Sequence, residues 1–341
     1  MKELLTAKRL LRRIALALII LVLVMLVCSV IGTEKVSLRN VFAGHADGKA
    51  ANPDYQIFIR VRVPRVILAA IVGAALASAG VVFQALLRNP LAEPYILGIS
   101  SGAGLGAISA VILGIEWTLL GRSPLAVFAF AGALGTVWLV WFIAKLAKKN
   151  KTTTLLLAGV VVNAFFSAVI MLLISVAKSS EFYSTIFWLM GNILEEEFFV
   201  LWLAGGFVAL AVMALYKISP QLNAMTFGPQ DAKNLGINTA AIRTIAFAVA
   251  SAVTAVAVSL SGLIGFVGLI VPHAVRLLFG ADHRQLIPLS AVAGAVFLVA
   301  ADTIARTIVA PAQMPVGIIT AIVGGPFFLV LLIRHTRKSA F

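Results

Sequence analysis

Residues 66–113 read VILAAIVGAALASAGVVFQALLRNPLAEPYILGISSGAGLGAISAVIL. Two apolar stretches, 66–86 and 93–113, flank a short turn holding Arg88, Asn89 and Pro90. Each is about 20 residues long, the length an α-helix needs to cross about 30 Å of hydrocarbon. Neither alternates polar and apolar positions, as the strands of a membrane barrel do. Small residues recur at helical spacing: Gly73, Ala77 and Gly80 in the first, Gly98, Gly102 and Gly106 in the second. Such stripes let membrane helices approach closely. The stretch reads as two membrane-spanning helices packed tightly in a bundle.

The rest of the chain repeats this pattern. Of 341 residues, 61% are apolar and 12% charged, against about 45–50% and 25% in a typical soluble domain. Further apolar runs lie near 14–31, 124–144, 154–176, 198–217, 243–261, 264–279, 287–305 and 315–333. With the first two they make ten spans. The expected fold is an all-α polytopic membrane protein forming one transmembrane domain over 1–341. A soluble enzyme, a disordered chain and a nucleic-acid-binding domain are poor fits. The run at 14–31 is long for a signal peptide and no A-x-A site follows it, so it is expected to be an uncleaved span. Spans eight and nine are expected to be short or interrupted, at Pro272 and Pro288. No soluble domain fits between the runs, so any ATPase is on another chain.

Charge gives the sidedness. The net charge is +14. Ten spans put both tails and the loops 87–92, 145–153, 217–243 and 276–286 on one side. That side holds 18 basic and four acidic residues, and the other holds nine of each. Positive residues favour the cytoplasm, so both termini are expected there. The basic excess then serves topology and lipid contact.

One outer segment departs from the trend. Arg60, Arg62 and Arg65 cluster in Arg60-Val-Arg62-Val-Pro-Arg65 just before span two. They are read either as an interfacial anchor or as a docking site for an acidic partner, since arginine pairs bidentately with carboxylates. Asp302 and Arg306 are four apart near the outer end of span nine and are expected to neutralise each other. No chain of acids runs through the membrane as a proton-driven carrier would need. The four histidines lack zinc-ligand spacing, and Cys28 is the lone cysteine. No catalytic constellation, metal site or cofactor of the chain's own is expected.

The longest inner polar segment is 218–242, ISPQLNAMTFGPQDAKNLGINTAAI. Gln230 to Leu235 is expected to form one short helix, started by Pro229 and ended by Gly236. Its length suggests contact with a second protein rather than a plain connector.

At these residues the sequence resembles the permease family of binding-protein-dependent ABC importers for iron-siderophores, haem and vitamin B12. The resemblance is carried by Arg62-Val-Pro-Arg65, by 73–107, by the inner loop, and by GLIGFVGLIVPHAVRLLFGADHRQLIP at 262–288. ADTIAR at 301–306 and MPVGIITAIVGGPFF at 314–328 extend it. It implies a type II importer permease working as a dimer, with itself or with a second permease chain. It implies two cytoplasmic ATPase subunits that hold the ATP and Mg, and an external binding protein that delivers a metal chelate. A ferric siderophore is the first candidate, then haem or cobalamin. It places binding-protein docking on Arg62, Arg65 and Arg306, and ATPase coupling on Gly228, Asp231, Ala232, Leu235 and Gly236. Pro229 stands where the family usually has an acid, with Asp231 as the nearest substitute. Asn89, Thr152 and Thr153 become gate candidates at the cytoplasmic exit, although threonines there also suit helix capping. The competing reading is an ion-coupled secondary transporter that works without an ATPase.

Overall fold

The computed structural model describes residues 6–43, 52–115, 124–147, 151–177 and 179–339, and all regular structure among them is helical. In chain order the helices are α1 (Ala7–Val30), α2 (Leu38–Ala43), α3 (Pro53–Tyr55), a π-helical stretch (Gln56–Arg62) running into α4 (Val63–Leu87), and α5 (Ile99–Ile112). Then come α6 (Pro124–Leu146), α7 (Lys151–Val176), α8 (Ser179–Leu189), α9 (Phe198–Lys217), α10 (Ser219–Phe227) and α11 (Pro229–Asn234). The last four are α12 (Thr239–Ser261), α13 (Val267–Phe279), α14 (His283–Thr307) and α15 (Val316–Ser339). Among the described residues seven helices are long and apolar enough to cross a membrane, and α5, α13 and Val316–Val330 are shorter apolar helices.

The centre of the bundle is α4. Leu68, Val72, Ala75, Ala79 and Phe83 on it are fully buried. Its small residues set the packing distance. A Cβ on Gly73 would lie 2.2 Å from the carbonyl oxygen of Gly294 on α14, and one on Gly80 would lie 2.0 Å from that of Gly268 on α13. Backbone therefore meets backbone at two levels, two turns apart, along one face of the helix. By contrast α1 lies at the edge and exposes Leu16, Ile19, Leu23 and Leu26, an apolar face suited to lipid.

The stripe expected at Gly98, Gly102 and Gly106 is split by the structure. Gly102 and Gly106 face α6, where a Cβ on Gly106 would sit 2.1 Å from the Phe128 carbonyl oxygen. Gly98 instead precedes α5 with φ +76°, closing a 3-10 turn over Pro94–Leu97. That left-handed conformation disfavours side chains other than glycine, so Gly98 ends a turn and Gly102 begins the stripe.

The interruptions expected at prolines also fall differently. Helix α14 continues through Pro288 to Thr307. Pro288 is close to the start of the helix, so its missing N–H costs one bond near the end. Pro272 lies mid-helix in α13, where its missing N–H leaves the carbonyl of Gly268 without its intrahelical donor. Gln84 Nε2 of α4 donates to that oxygen at 3.2 Å, and Gln84 Oε1 accepts from Arg276 Nη2 at 2.9 Å. A freed backbone group at membrane depth is thus satisfied by a neighbouring helix. Gln84→Leu leaves this oxygen and a guanidinium without these partners. It is expected to destabilise the protein by about 1–3 kcal/mol, read as a lower melting temperature in detergent, whereas Gln84→Glu keeps the bond to Arg276 and is expected to lose less.

Candidate functional site: a buried arginine cluster and a segment that caps the other end

The first site lies where α1 and α14 end and α4 begins. Arg65 Nε stands 3.1 Å from both carboxylate oxygens of Asp302, its Nη2 is 3.0 Å from Oδ1, and its Nη1 donates to Gln313 Oε1 at 2.8 Å. Arg62 Nη1 donates to the carbonyl of Val30 at 2.7 Å and its Nη2 to that of Glu34. Arg306 Nη2 donates to the carbonyl of Cys28 and, at 3.1 Å, to Thr303 Oγ1. The carbonyls of Cys28 and Val30 belong to the last turn of α1, whose final C=O groups lack helical partners and carry partial negative charge. The arginines therefore cap α1 and tie it to α4 and α14.

Asp302 and Arg306 pair as expected, with Arg306 Nε 3.9 Å from the carboxylate, but the closer partner is Arg65 at 3.0 Å. The guanidiniums of Arg62, Arg65 and Arg306, expected to face a partner, point inward with exposures of 4, 4 and 5%. The physical reason is supply of acceptors: two carbonyls, a carboxylate and an amide oxygen converge there. Arg60 is exposed at the surface. Arg65 and Arg306 share the buried carboxylate of Asp302 and Arg62 lies near Glu34, so three cations meet two acids and this end stays electropositive.

The second site is at the opposite end. The inner segment expected to hold one short helix holds two, α10 and α11. Its backbone is punctuated where expected: Gly228 has φ +151° and Gly236 has φ +77°. Three side chains fasten α10 to the bundle. Arg88, the left-handed cap of α4, donates from Nη2 to the Met225 carbonyl at 2.8 Å. Asn223 Nδ2 donates to Asp282 Oδ1 at 2.7 Å, and Asn223 Oδ1 accepts from His283 N at 2.9 Å. His283 Nδ1 is 2.7 Å from the same Asn223 oxygen, so that ring nitrogen carries the proton. Burial works against the charge of Asp282, but hydrogen bonds from Arg284 and Asn223 outweigh it and bring its pKa down to about 2. A carboxylate lowered in this way keeps its contribution above its unfolded value near 4 and loses it as pH falls through about 2. The contribution of Asp282 is thus constant over the physiological range.

On α11, Ala232 is fully buried, while Asp231, Leu235 and Gly236 are exposed. Phe227 and Leu235 are 81% and 71% exposed on an otherwise polar segment. Of the gate candidates, Asn89 is engaged in its own turn, its Oδ1 accepting from Leu91 N at 2.9 Å. Thr153 is exposed in the first turn of α7, and the side chain of Thr152 lies outside the described residues. Sequence reading missed Gln313 and Asn223. Among the described residues no group of three or more His, Cys, Asp or Glu is placed to hold a metal ion.

A family model, the FecCD transport family, matches residues 18–334. The cobalamin import system permease protein BtuC of Halobacterium salinarum is 45% identical over 80% of this chain and 72% of that protein. The hemin transport system permease protein HmuU of Yersinia pestis is 37% identical over 84% of this chain and 86% of its own length. A solved structure described as an inward-facing conformation of an ABC transporter of metal-chelate type superposes with TM-score 0.81 and 31% identity, covering 94% of this chain and 98% of that one. The bundle is therefore a multi-pass membrane permease of an ABC importer, and the chain belongs to the FecCD transport family.

Proposed function

We propose that this permease moves a metal chelate from an external binding protein into the cytoplasm, driven by separate ATPase subunits. A ferric siderophore is the first candidate cargo, then haem or cobalamin. The relatives named for cobalamin and hemin support the class of cargo. The permease sits in the cell membrane with both termini inside, by the excess of basic residues on that face. Two copies, or this chain and a second permease, enclose the path. The permease breaks no bonds itself, and ATP and Mg belong to its partner.

The observation that carries this reading is the α10–α11 segment. It presents exposed Phe227 and Leu235 away from the bundle, while Arg88 and Asn223 bolt it to the ends of α4 and α14. A partner gripping the exposed apolar residues would move two packed helices together. Gly228, Asp231, Leu235 and Gly236 form this coupling surface, and the buried Ala232 seats it from within. Asn89, Thr152 and Thr153 remain the proposed cytoplasmic gate.

Docking takes a changed form. Arg60, exposed beside the cluster, meets the acidic partner, and the electropositive trio of Arg62, Arg65 and Arg306 attracts it. The test is reconstitution with the ATPase and binding protein in proteoliposomes. Deleting Asn234–Gly236 is expected to abolish ATP-driven uptake of labelled chelate while ATP hydrolysis persists. Uptake by the intact permease on an ion gradient without the ATPase would establish a secondary transporter instead.

A further inference from the structure

A cavity of about 470 Å³ opens between the ends of α4, α6 and α12 and the coupling helix α11. Its walls are mostly apolar and include Leu86, Leu87, Leu155 and Phe247. Lys145, Lys233 and Arg243 also line it, and no acidic residue does. The ammonium of Lys145 lies 5.1 Å from the ring centroid of Trp141, another wall residue, which fixes it at the apolar edge. Arg243 is one turn into α12, near its N-terminal end. Arg88 adds a like charge close to Arg243. Three cations thus meet at one pocket with no acid in its walls and a fourth close by, and an anion there offsets their mutual repulsion.

We propose that this cavity binds an anionic phospholipid of the inner leaflet. The phosphate is held by Lys145, Lys233 and Arg243, and the acyl chains lie against the leucine and phenylalanine walls. A basic pocket between helices on the cytoplasmic side has the chemistry of such headgroup sites. The depth fits as well, since the cavity lies where apolar helix ends meet the basic face. Because Lys233 is on α11, the bound lipid bridges the coupling segment to α6 and α12. The proposal rests on the sidedness argued above.

The test is native mass spectrometry of the delipidated full-length permease with phosphatidylglycerol, phosphatidylcholine or inorganic phosphate added. Phosphatidylglycerol is expected to bind with clear preference over phosphatidylcholine. Lys145→Gln alone is expected to weaken it roughly fivefold, and the triple change with Lys233→Gln and Arg243→Gln on the order of a hundredfold. Ala240→Trp fills the cavity without removing charge, and is expected to abolish the preference in a folded protein.

Equal binding of both lipids, or an unchanged affinity in Lys145→Gln and Ala240→Trp, overturns the proposal. So does equal occupation by phosphate alone, which marks a soluble-anion site. So does displacement of the lipid when the ATPase is added, which marks the cavity as a seat for an acidic side chain of that partner. Labelling of Lys145→Cys from either face of a vesicle reports the sidedness separately: failure to bind lipid with inside labelling counts against the cavity alone.

Discussion

Asp302→Ala is expected to destabilise the permease by about 3–5 kcal/mol, the usual cost of removing one partner from a buried ion pair. Asp302 is 1% exposed and Arg65 4%. Without the carboxylate, the buried guanidiniums of Arg65 and Arg306 lose their acid, while Glu34 still attracts Arg62. The carbonyls of Cys28, Val30 and Glu34 still accept hydrogen bonds from Arg306 and Arg62, but a dipole does not neutralise a charge. Arg65→Met with Asp302→Leu is expected to recover only part of the loss, because Arg306 keeps its charge. Adding Arg306→Met is expected to bring the melting temperature in detergent close to that of the unchanged protein, since well-packed apolar residues often replace buried ionic groups without loss. A triple variant no more stable than Asp302→Ala would sink this account. The same triple variant separates structure from docking. It leaves Arg60 in place, and so is expected to bind the external protein more weakly through lost attraction while still folding.

The spans were legible because a bilayer imposes a length and a composition that a single sequence displays. The glycine contacts at Gly102 and Gly106 were legible for a similar reason, as spacing on one helix is local information. The arginine cluster was legible only in part. Arg65 and Asp302 are 237 residues apart, and sequence spacing could offer Asp302 only its neighbour Arg306. The inward turn of the arginines depends on the last carbonyls of α1, which no side-chain pattern records. Helix α10 was missed because Ser219-Pro-Gln-Leu-Asn223 reads as a loop until Asn223 is seen to hold Asp282 and His283. Gln84 stood out in the sequence as a polar side chain in an apolar run, and its partner could have been found too, since a proline in mid-span demands a donor from elsewhere.

Gly80→Leu is expected to prevent assembly of the bundle. The Cβ alone would lie 2.0 Å from the Gly268 carbonyl oxygen, with the next contacts also on backbone atoms. No rotamer change relieves such a clash, so α4 and α13 must separate. Separation costs more than the overlap itself. Gln84 loses reach to the Gly268 oxygen, which Pro272 has already deprived of its helical donor. Lipid cannot supply a replacement hydrogen bond, and it fills the gap without restoring the packing that drives membrane helices together. Gly80→Ala adds only that Cβ but meets the same backbone clash, and is expected to lose about 3 kcal/mol or more by overpacking. The control is Gly206→Ala on the exposed face of α9, where a Cβ meets nothing within 4 Å. It is expected to be neutral, or to stabilise by up to about 1 kcal/mol through helix propensity. The measurement is size-exclusion monodispersity and thermal melting in detergent for all three. If Gly80→Leu remains monodisperse and melts with Gly206→Ala, α4 is not clamped to α13 through Gly268.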